Sequence, residues 1–357
     1  GDFYVFIILL CAVYCVCVLL LEGFRADSVK GYVAQARKKA AVPFYIVCLC
    51  IVVAVAGSLI GWKLFRARDY AQLLPVEDGD FAADVAEISF DQIPMLDSAS
   101  ANVLANRKLG ELSELVSQFE VYSDSFQINY QNRPVRVTYL NYGDFFKWWN
   151  NQKAGIPAYM VIDMVTQEVA VQRLEQGIRY SPSEYFFRDI DRYLRFKYPT
   201  KMFTDVNFEV NEDGEPYWVA TAVTKKVGLF GGEDAVGAVL VNAVTGESTY
   251  YDVADVPQWV DRVYTAQLIL EQYNYYGLYQ GGFWNSLFGQ SGCTEATSYY
   301  NYIAQDDDVW LYTGITSVTG DRGNIGFILV NQRTKEARYC PCAGAEDILK
   351  CAALAVD

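Results

Sequence analysis

The chain has 357 residues and is 52% hydrophobic, which excludes a disordered protein and leaves room for one large domain or several small ones. Lysine and arginine number 29 against 43 aspartates and glutamates, a net charge of -14, so the cationic footprint a nucleic-acid binder needs is missing. There is no histidine. Ser-His-Asp and Cys-His nucleophile systems and imidazole metal ligands are therefore excluded, leaving carboxylate, thiol, lysine or tyrosine chemistry.

Two apolar runs open the chain: 19 uncharged residues from Phe3 to Leu21 and 23 from Ala40 to Trp62. As helices they would extend roughly 28 and 34 Å, so a transmembrane hairpin with spans 3–21 and 40–62 is expected, inserted in the lipid bilayer. The connector carries Arg25, Lys30, Arg37, Lys38 and Lys39 against Glu22 and Asp27, while only Lys63, Arg66 and Arg68 follow the second run. The positive-inside rule then places the connector in the cytoplasm and everything after Trp62 outside it. Residues 1–69 have a net charge of +4 and the remaining 288 a net charge of -18, so a basic hairpin carries an acidic ectodomain. Cys11, Cys15, Cys17, Cys48 and Cys50 fall in the spans and act there as small apolar residues.

Residues 70–100, with Pro75, Pro94 and seven acidic side chains, read as an acidic stalk. Beyond it one pattern recurs three times: Ile162-Asp163-Met-Val-Thr166-Gln-Glu168, Val241-Asn242-Ala-Val-Thr245-Gly-Glu247 and Val330-Asn331-Gln-Arg-Thr334-Lys-Glu336. Each follows a β-prone run and precedes another, and an Asp or Asn at that point starts a tight turn. Asp163, Thr166, Asn242, Thr245, Asn331 and Thr334 are thus expected to be structural turn residues. With a preceding strand (Val135–Leu140, Tyr217–Val223, Val309–Val318), each unit holds about three antiparallel strands.

Helices are predicted over Ala101–Phe119, from the capping box Ser181-Pro182-Ser183-Glu184 onwards, from Asp255-Val256-Pro257-Gln258 to a close at Gly277, and near Ala345. The expected fold class is α+β: a two-helix transmembrane hairpin (1–69), the stalk (70–100), and repeated modules over 101–200, 201–277 and 278–357, the last expected to be a truncated copy.

Constellations that could carry chemistry are few. Cys340-Pro341-Cys342 with Cys351 and Cys293 has one residue, not two to four, between the paired cysteines, so a disulfide from Cys293 or no bond is expected rather than a metal site. Asp306-Asp307-Asp308 with Asp321 and Asn324 lacks EF-hand spacing and reads as a solvated turn. Gly228-Leu-Phe-Gly231-Gly232 is followed by acids, not by Lys and Ser or Thr, and reads as a connection between strands. No GxSxG, Walker A, HExxH or dinucleotide fingerprint occurs, and no cofactor is expected. The densest feature is Tyr273, Tyr275, Tyr276, Tyr279, Phe283, Trp284 and Phe288, seven aromatics within 17 residues. They are candidates for a surface that binds a glycan or a protein, or else they pack the junction between the second and third modules. Phe145, Phe146, Trp148 and Trp149 pose the same alternative.

Five stretches, Tyr142-Gly-Asp-Phe-Phe-Lys-Trp, Asp163-Met-Val-Thr-Gln-Glu-Val, Gly228-Leu-Phe-Gly-Gly, Val256-Pro-Gln-Trp-Val-Asp-Arg-Val-Tyr and Gly281-Gly-Phe-Trp-Asn-Ser-Leu-Phe-Gly-Gln, resemble a group of uncharacterised membrane proteins of Gram-positive bacteria with a large extracytoplasmic region. The resemblance covers most of residues 60–340 and implies a cell-membrane location but no activity. The strand, turn, strand, helix units also resemble PepSY-type modules, which implies extracytoplasmic binding or protease regulation. The expectation is a membrane-anchored extracytoplasmic binding or scaffold protein of the bacterial cell envelope, with an envelope protein or glycan as partner and no nucleic acid. A carboxylate-dependent hydrolase of cell-wall glycan is the alternative, and a cytoplasmic domain a third reading if the charge bias misleads.

Overall fold

The computed structural model describes residues 2–25, 29–80, 96–131, 133–305, 308–318 and 324–341. It divides into two compact units, Gly1–Arg66 with Val227–Gly231, and Ala67–Lys226 with Gly232–Asp357.

In the first unit, α1 (Asp2–Arg25) packs on α2 (Val29–Ile60). Lys38–Ile60 is long and apolar enough to cross a membrane, whereas the apolar stretch of α1 is shorter, Phe6–Leu21. The expected pair of spans is thus one helix that qualifies and one shorter apolar helix. A core helix of a soluble protein would be covered by its own chain. Here Phe44, Leu49 and Val52 stand 62%, 63% and 62% exposed.

The second unit begins inside α3 (Lys63–Ala71), which kinks at Arg66, and continues with β1 (Val76–Asp78) and α4 (Ser98–Gly110). After the short strand β2 (Phe119–Val121) come three four-stranded antiparallel meanders. The first is β3 (Phe126–Tyr130), β4 (Arg133–Tyr142), β5 (Ile156–Asp163) and β6 (Val169–Ile178). The second is β7 (Met202–Val210), β8 (Pro216–Val227), β9 (Gly231–Asn242) and β10 (Ser248–Asp252). The third is β11 (Thr294–Gln305), β12 (Asp308–Ser317), β13 (Asn324–Asn331) and β14 (Ala337–Pro341). Each unit therefore has one strand more than the sequence pattern suggests. Bulges at Phe203/Val206 and Ala296/Tyr300 break the alternation of β7 and β11, which hides both from a period-two reading.

The three repeated turns fall at one place, between the third and fourth strands, and share one set of bonds. Asp163 Oδ1 accepts from the Val165 and Thr166 N–H groups, Asn242 Oδ1 from Val244 and Thr245, and Asn331 Oδ1 from Arg333 and Thr334, all at 2.8–3.0 Å. Thr166, Thr245 and Thr334 Oγ1 then accept from the backbone of Glu168, Glu247 and Glu336. The residue between threonine and glutamate takes positive φ in every copy: Gln167 at 61°, Gly246 at 78° and Lys335 at 68°.

One residue after each Asp or Asn the chain is buried, at Met164, Ala243 and Gln332. Their N–H groups donate to the carbonyls of Pro134, Pro216 and Val309, each at the start of the second strand of its own module. The carbonyl of Ala243 accepts from both Arg179 and Tyr180, and that of Gln332 from both Val263 and Tyr264. The segment leaving one module is thus hung on the turn of the next, twice over, by one backbone device.

The second sheet is covered on both faces. Trp218, Ala220, Val239 and Val241 join the core of the first module, while Val219, Ala238 and Leu240 join the core shared with the third. That double burial explains the unbroken apolar runs in β8 and β9.

Several helix limits differ from expectation. Residues 101–119 are α4, a short helix α5 (Ser113–Val116), and the start of β2. No helix begins at Ser181 or at Asp255: α7 (Ile190–Lys197) is capped by Asp189 and α8 (Ala266–Tyr279) by Thr265. Gly277 does not end α8 but lies buried within it, where a Cβ would strike the Thr294 carbonyl of β11. The segment expected as a stalk starts as structure, since Leu74 is fully buried and Val76–Asp78 pairs in parallel with β14. Residues 81–95, and the helix expected near Ala345, lie outside the described residues, as do Cys342, Cys351, Asp306, Asp307 and Asp321.

Candidate functional site

The expected aromatic stretch divides in two. Tyr273 is 1% exposed and shares a hydrogen bond with Thr294, and Tyr276 packs tilted beside it at 5.9 Å. Tyr275 lies edge-on to Tyr70 at 4.8 Å and donates to Glu271, and Tyr279 is also buried. These four rings belong to α8, which covers the third sheet, so they are packing residues. Phe283 is half-buried, while Trp284 and Phe288 stack at 5.8 Å and are 61% and 76% exposed.

The larger exposed aromatic surface lies on the first module. Asp144 caps α6 (Phe145–Asn151), a helix of seven residues that can aim only one large ring inward, and Trp148 takes that place. Phe146 and Trp149 stand 76% and 59% exposed beside it, with Phe145 less so. The indole N–H of Trp148 donates to Glu184 Oε2 at 2.8 Å, and the Tyr142 hydroxyl donates to Glu184 Oε1 at 2.9 Å. Arg188 adds an ion pair to Oε2 at 3.3 Å. Burial raises the Glu184 carboxyl above its usual range, and these three partners pull the other way.

That anchoring explains why the capping box fails. To close a box, the Glu184 side chain would have to reach back to a backbone N–H. Instead its oxygens are spent on tertiary partners, and the chain turns through a 3-10 segment, Phe186–Arg188, with Phe186 at φ +57°. Such a conformation costs a non-glycine residue about 1–2 kcal/mol. Arg192 holds it by donating to the Phe186 carbonyl, and Arg188 by donating to Gln152 O. The result is outward display of Phe186 and Phe187, with Phe196 of α7 next to Phe187 at 6.3 Å. Tyr185 bridges the halves, edge-on to Phe145 at 5.3 Å. Behind the rings runs an open groove of about 320 Å³, lined by Tyr142, Asp144, Ser183, Tyr185, Asp189 and Arg192 among others.

A second constellation carries no sequence signal at all. In β7 the alternation that sends Phe208 and Val210 into the first core sends Glu209 the other way, fully buried. Glu209 Oε2 accepts from the Asp261 N–H at 2.9 Å, and Asp261 Oδ2 accepts from the Asn129 N–H at 2.6 Å. Burial pushes Glu209 up to about 7 and raises Asp261 well above the ordinary aspartate range, with Glu209 adding to the latter and Arg262 opposing both. The loop from Val256 to Thr265 is thereby pinned to strands of the first two modules and to the turn of the third, since Thr221 donates to Val263 O and Gln332 to Tyr264 O. Asp308, expected in a solvated turn, is buried instead and holds Arg333 through two bonds of 2.6 and 2.7 Å and Asn331 at 2.8 Å.

Among the described residues no group of three or more Cys, Asp or Glu could hold a metal ion. Cys293 and Cys340 are both buried, Cys293 with its Sγ 3.6 Å from Leu278 O and Cys340 among Ile303, Trp310 and Leu329. Comparison with protein-family models, curated proteins and solved structures finds no match.

Proposed function

We propose that the chain is a membrane-anchored binding protein of the bacterial cell envelope, with its modular unit outside the cytoplasm and the aromatic surface of the first module as its contact for a protein partner. The observation that carries this reading is the display of Phe146 and Trp149 on α6, Phe196 on α7, and Phe186 and Phe187 on the loop whose backbone is held at a costly φ, each ring 59% exposed or more. Contiguous exposed apolar area of this kind marks interaction sites in soluble units. Four of these five rings are phenylalanines, which offer a sugar no hydrogen bond, so a protein suits the surface better than a glycan. The anchor would be α2 together with α1, and the basic connector supports an outward modular unit.

The hydrolase alternative would have to use Asp144 and Asp189, which line the first-module groove, but each has one carboxylate oxygen engaged in capping a helix, accepting from the Lys147 and Arg192 N–H groups at 2.9 Å. Glu184 has its oxygens engaged and its side chain fully covered, and Glu209 and Asp261 are equally enclosed, so none of them reaches a substrate.

The test is affinity capture from detergent-solubilised Gram-positive envelope with three baits: the parent chain, Phe146→Asp with Phe187→Asp, and Trp284→Asp. A discrete protein held by the parent and by Trp284→Asp, and lost from the double variant, is expected. Equal retention by the double variant would remove the first-module surface from consideration.

A further inference from the structure

The turn joining β8 and β9, Val227–Gly231, belongs to the compact unit of the helices and not to that of its own strands. It lies against the last turn and a half of α2, where two glycines, Gly57 and Gly61, stand one helical turn apart and are buried. A Cβ on Gly57 would strike the Phe230 ring and come within 3.2 Å of Leu229 Cβ. A Cβ on Gly61 would lie 3.2 Å from the Val227 carbonyl, and one on Gly228 would lie 2.6 Å from Gly61 Cα. Gly228 itself has φ +63°, which only glycine adopts freely. At Gly61 and Gly228 the two backbones thus meet with no side chain between them, and at Gly57 the missing side chain leaves a seat for the Phe230 ring, the kind of approach that small residues permit between membrane helices. Here the second partner is a β-turn.

Depth follows from that contact. Gly57 precedes the end of α2 at Ile60 by three residues, about 4.5 Å along the axis. A ring seated on Gly57 therefore lies at a level where the helix is still flanked by exposed apolar side chains, Leu59 and Ile60. Residues 227–232 carry no charge, and they are flanked by Lys225 and Lys226 on one side and by Glu233 and Asp234 on the other, with Lys225 paired to Glu233. Leu229 remains 51% exposed and Phe230 37% exposed although both are apolar, and Trp62 and Phe65 are exposed beyond the helix end. Aromatic and basic residues in that arrangement mark a membrane–water boundary.

We propose that the β8–β9 turn dips into the bilayer, with Leu229 and Phe230 in the boundary between headgroups and acyl chains, so that the protein is held to lipid by a strand turn as well as by helices. The proposal rests on α2 crossing the membrane, and its partner is the lipid itself.

The test uses the full chain in phosphatidylcholine nanodiscs, with a photoreactive benzophenone residue replacing Leu229, Val52 or Thr245 in turn. Val52 reports on α2 itself. Thr245 is at the opposite end of β9, roughly 35–40 Å along the strand. Lipid adducts are expected at 229 and 52, about tenfold or more above position 245, because acyl chains end at the headgroup region. Adducts at 52 with only background at 229 would overturn the dipping turn and leave the span standing. Background at 52 would overturn the span, and the dipping turn with it. Gly57→Leu, which fills the seat of the Phe230 ring, should lower the adduct at 229 several-fold without lowering that at 52. An unchanged adduct at 229 in that variant would show that the tip is not placed by the glycines.

Discussion

The first and third modules share a turn, a strand order and a wealth of aromatic residues, yet they use the rings in opposite ways. In the third module α8 is 14 residues long and lies along β11, so Tyr273, Tyr276 and Tyr279 find a sheet or a neighbouring helix beneath them. In the first, α6 has half that length, and the following loop turns its rings out at Phe186. Aromatic density is the same signal in both cases. What separates packing from display is whether the backbone offers a long enough face to lay the rings down on.

Replacing one ring in each setting gives the largest expected contrast. Trp148→Ala and Tyr273→Ala should each cost about 3–5 kcal/mol, since both side chains are buried and both carry a hydrogen bond whose partner would be left behind. Phe146→Ala should stay within about 0.5 kcal/mol of the parent, as befits a ring that is 76% exposed. Urea unfolding of the full chain in detergent measures all three. If Phe146→Ala were as damaging as Tyr273→Ala, the first-module surface would be an ordinary core contact and the contrast would collapse.

Much of this division lies beyond local sequence. The turns were legible because Asp163, Asn242 and Asn331 bond to N–H groups two and three residues on, so pattern and structure occupy one short window. The α+β class was legible from the same repeats. The aromatic surface was only half visible: Phe145, Phe146, Trp148 and Trp149 stood out, but Phe186, Phe187 and Phe196 lie some forty residues away, where Phe186 reads as part of the apolar face of a helix started by the capping box. Glu184 decided otherwise, through Tyr142 and Trp148, which are remote in sequence. Likewise Val256–Thr265 looks like a helix start because Pro257 is well placed for one, whereas contacts to Glu209, Asn129 and Gln332 hold it as a loop. No window of sequence links Glu209 to Asp261.

The first and second modules also differ in how their buried acid is served, and pH exposes the difference. Glu184 has three donors, whereas Glu209 Oε1 has no hydrogen-bond partner. A buried acid whose pKa rises on folding adds stability fully below its unfolded value, and that stability is lost as pH climbs through its folded value. For Glu209 the window runs from its ordinary 4.5 to about 7. Glu209→Gln should therefore flatten the decline in stability as pH rises from 5 to 8, measured by thermal unfolding across the range, since Glu209 and Asp261 share the raised titration. A decline as steep in the variant as in the parent would place the proton elsewhere, with Asp261 as the next group to replace.

The smallest effect separates the repeated turns themselves. Gln167 and Lys335 occupy the same left-handed position that Gly246 fills in the second module, so each bears a conformational cost that glycine would relieve. Gln167→Gly should raise stability by about 0.5–1 kcal/mol. Lys335→Gly should instead lower it by about 1–3 kcal/mol, because the Lys335 ammonium pairs with Asp234 at 2.6 Å and lies over the Tyr264 ring, both largely out of solvent. Opposite signs at equivalent positions would show that the turn is a common local unit on which the third module has built a tertiary contact. A gain at both would mean that the Lys335–Asp234 pair adds nothing, and that strain alone distinguishes these turns.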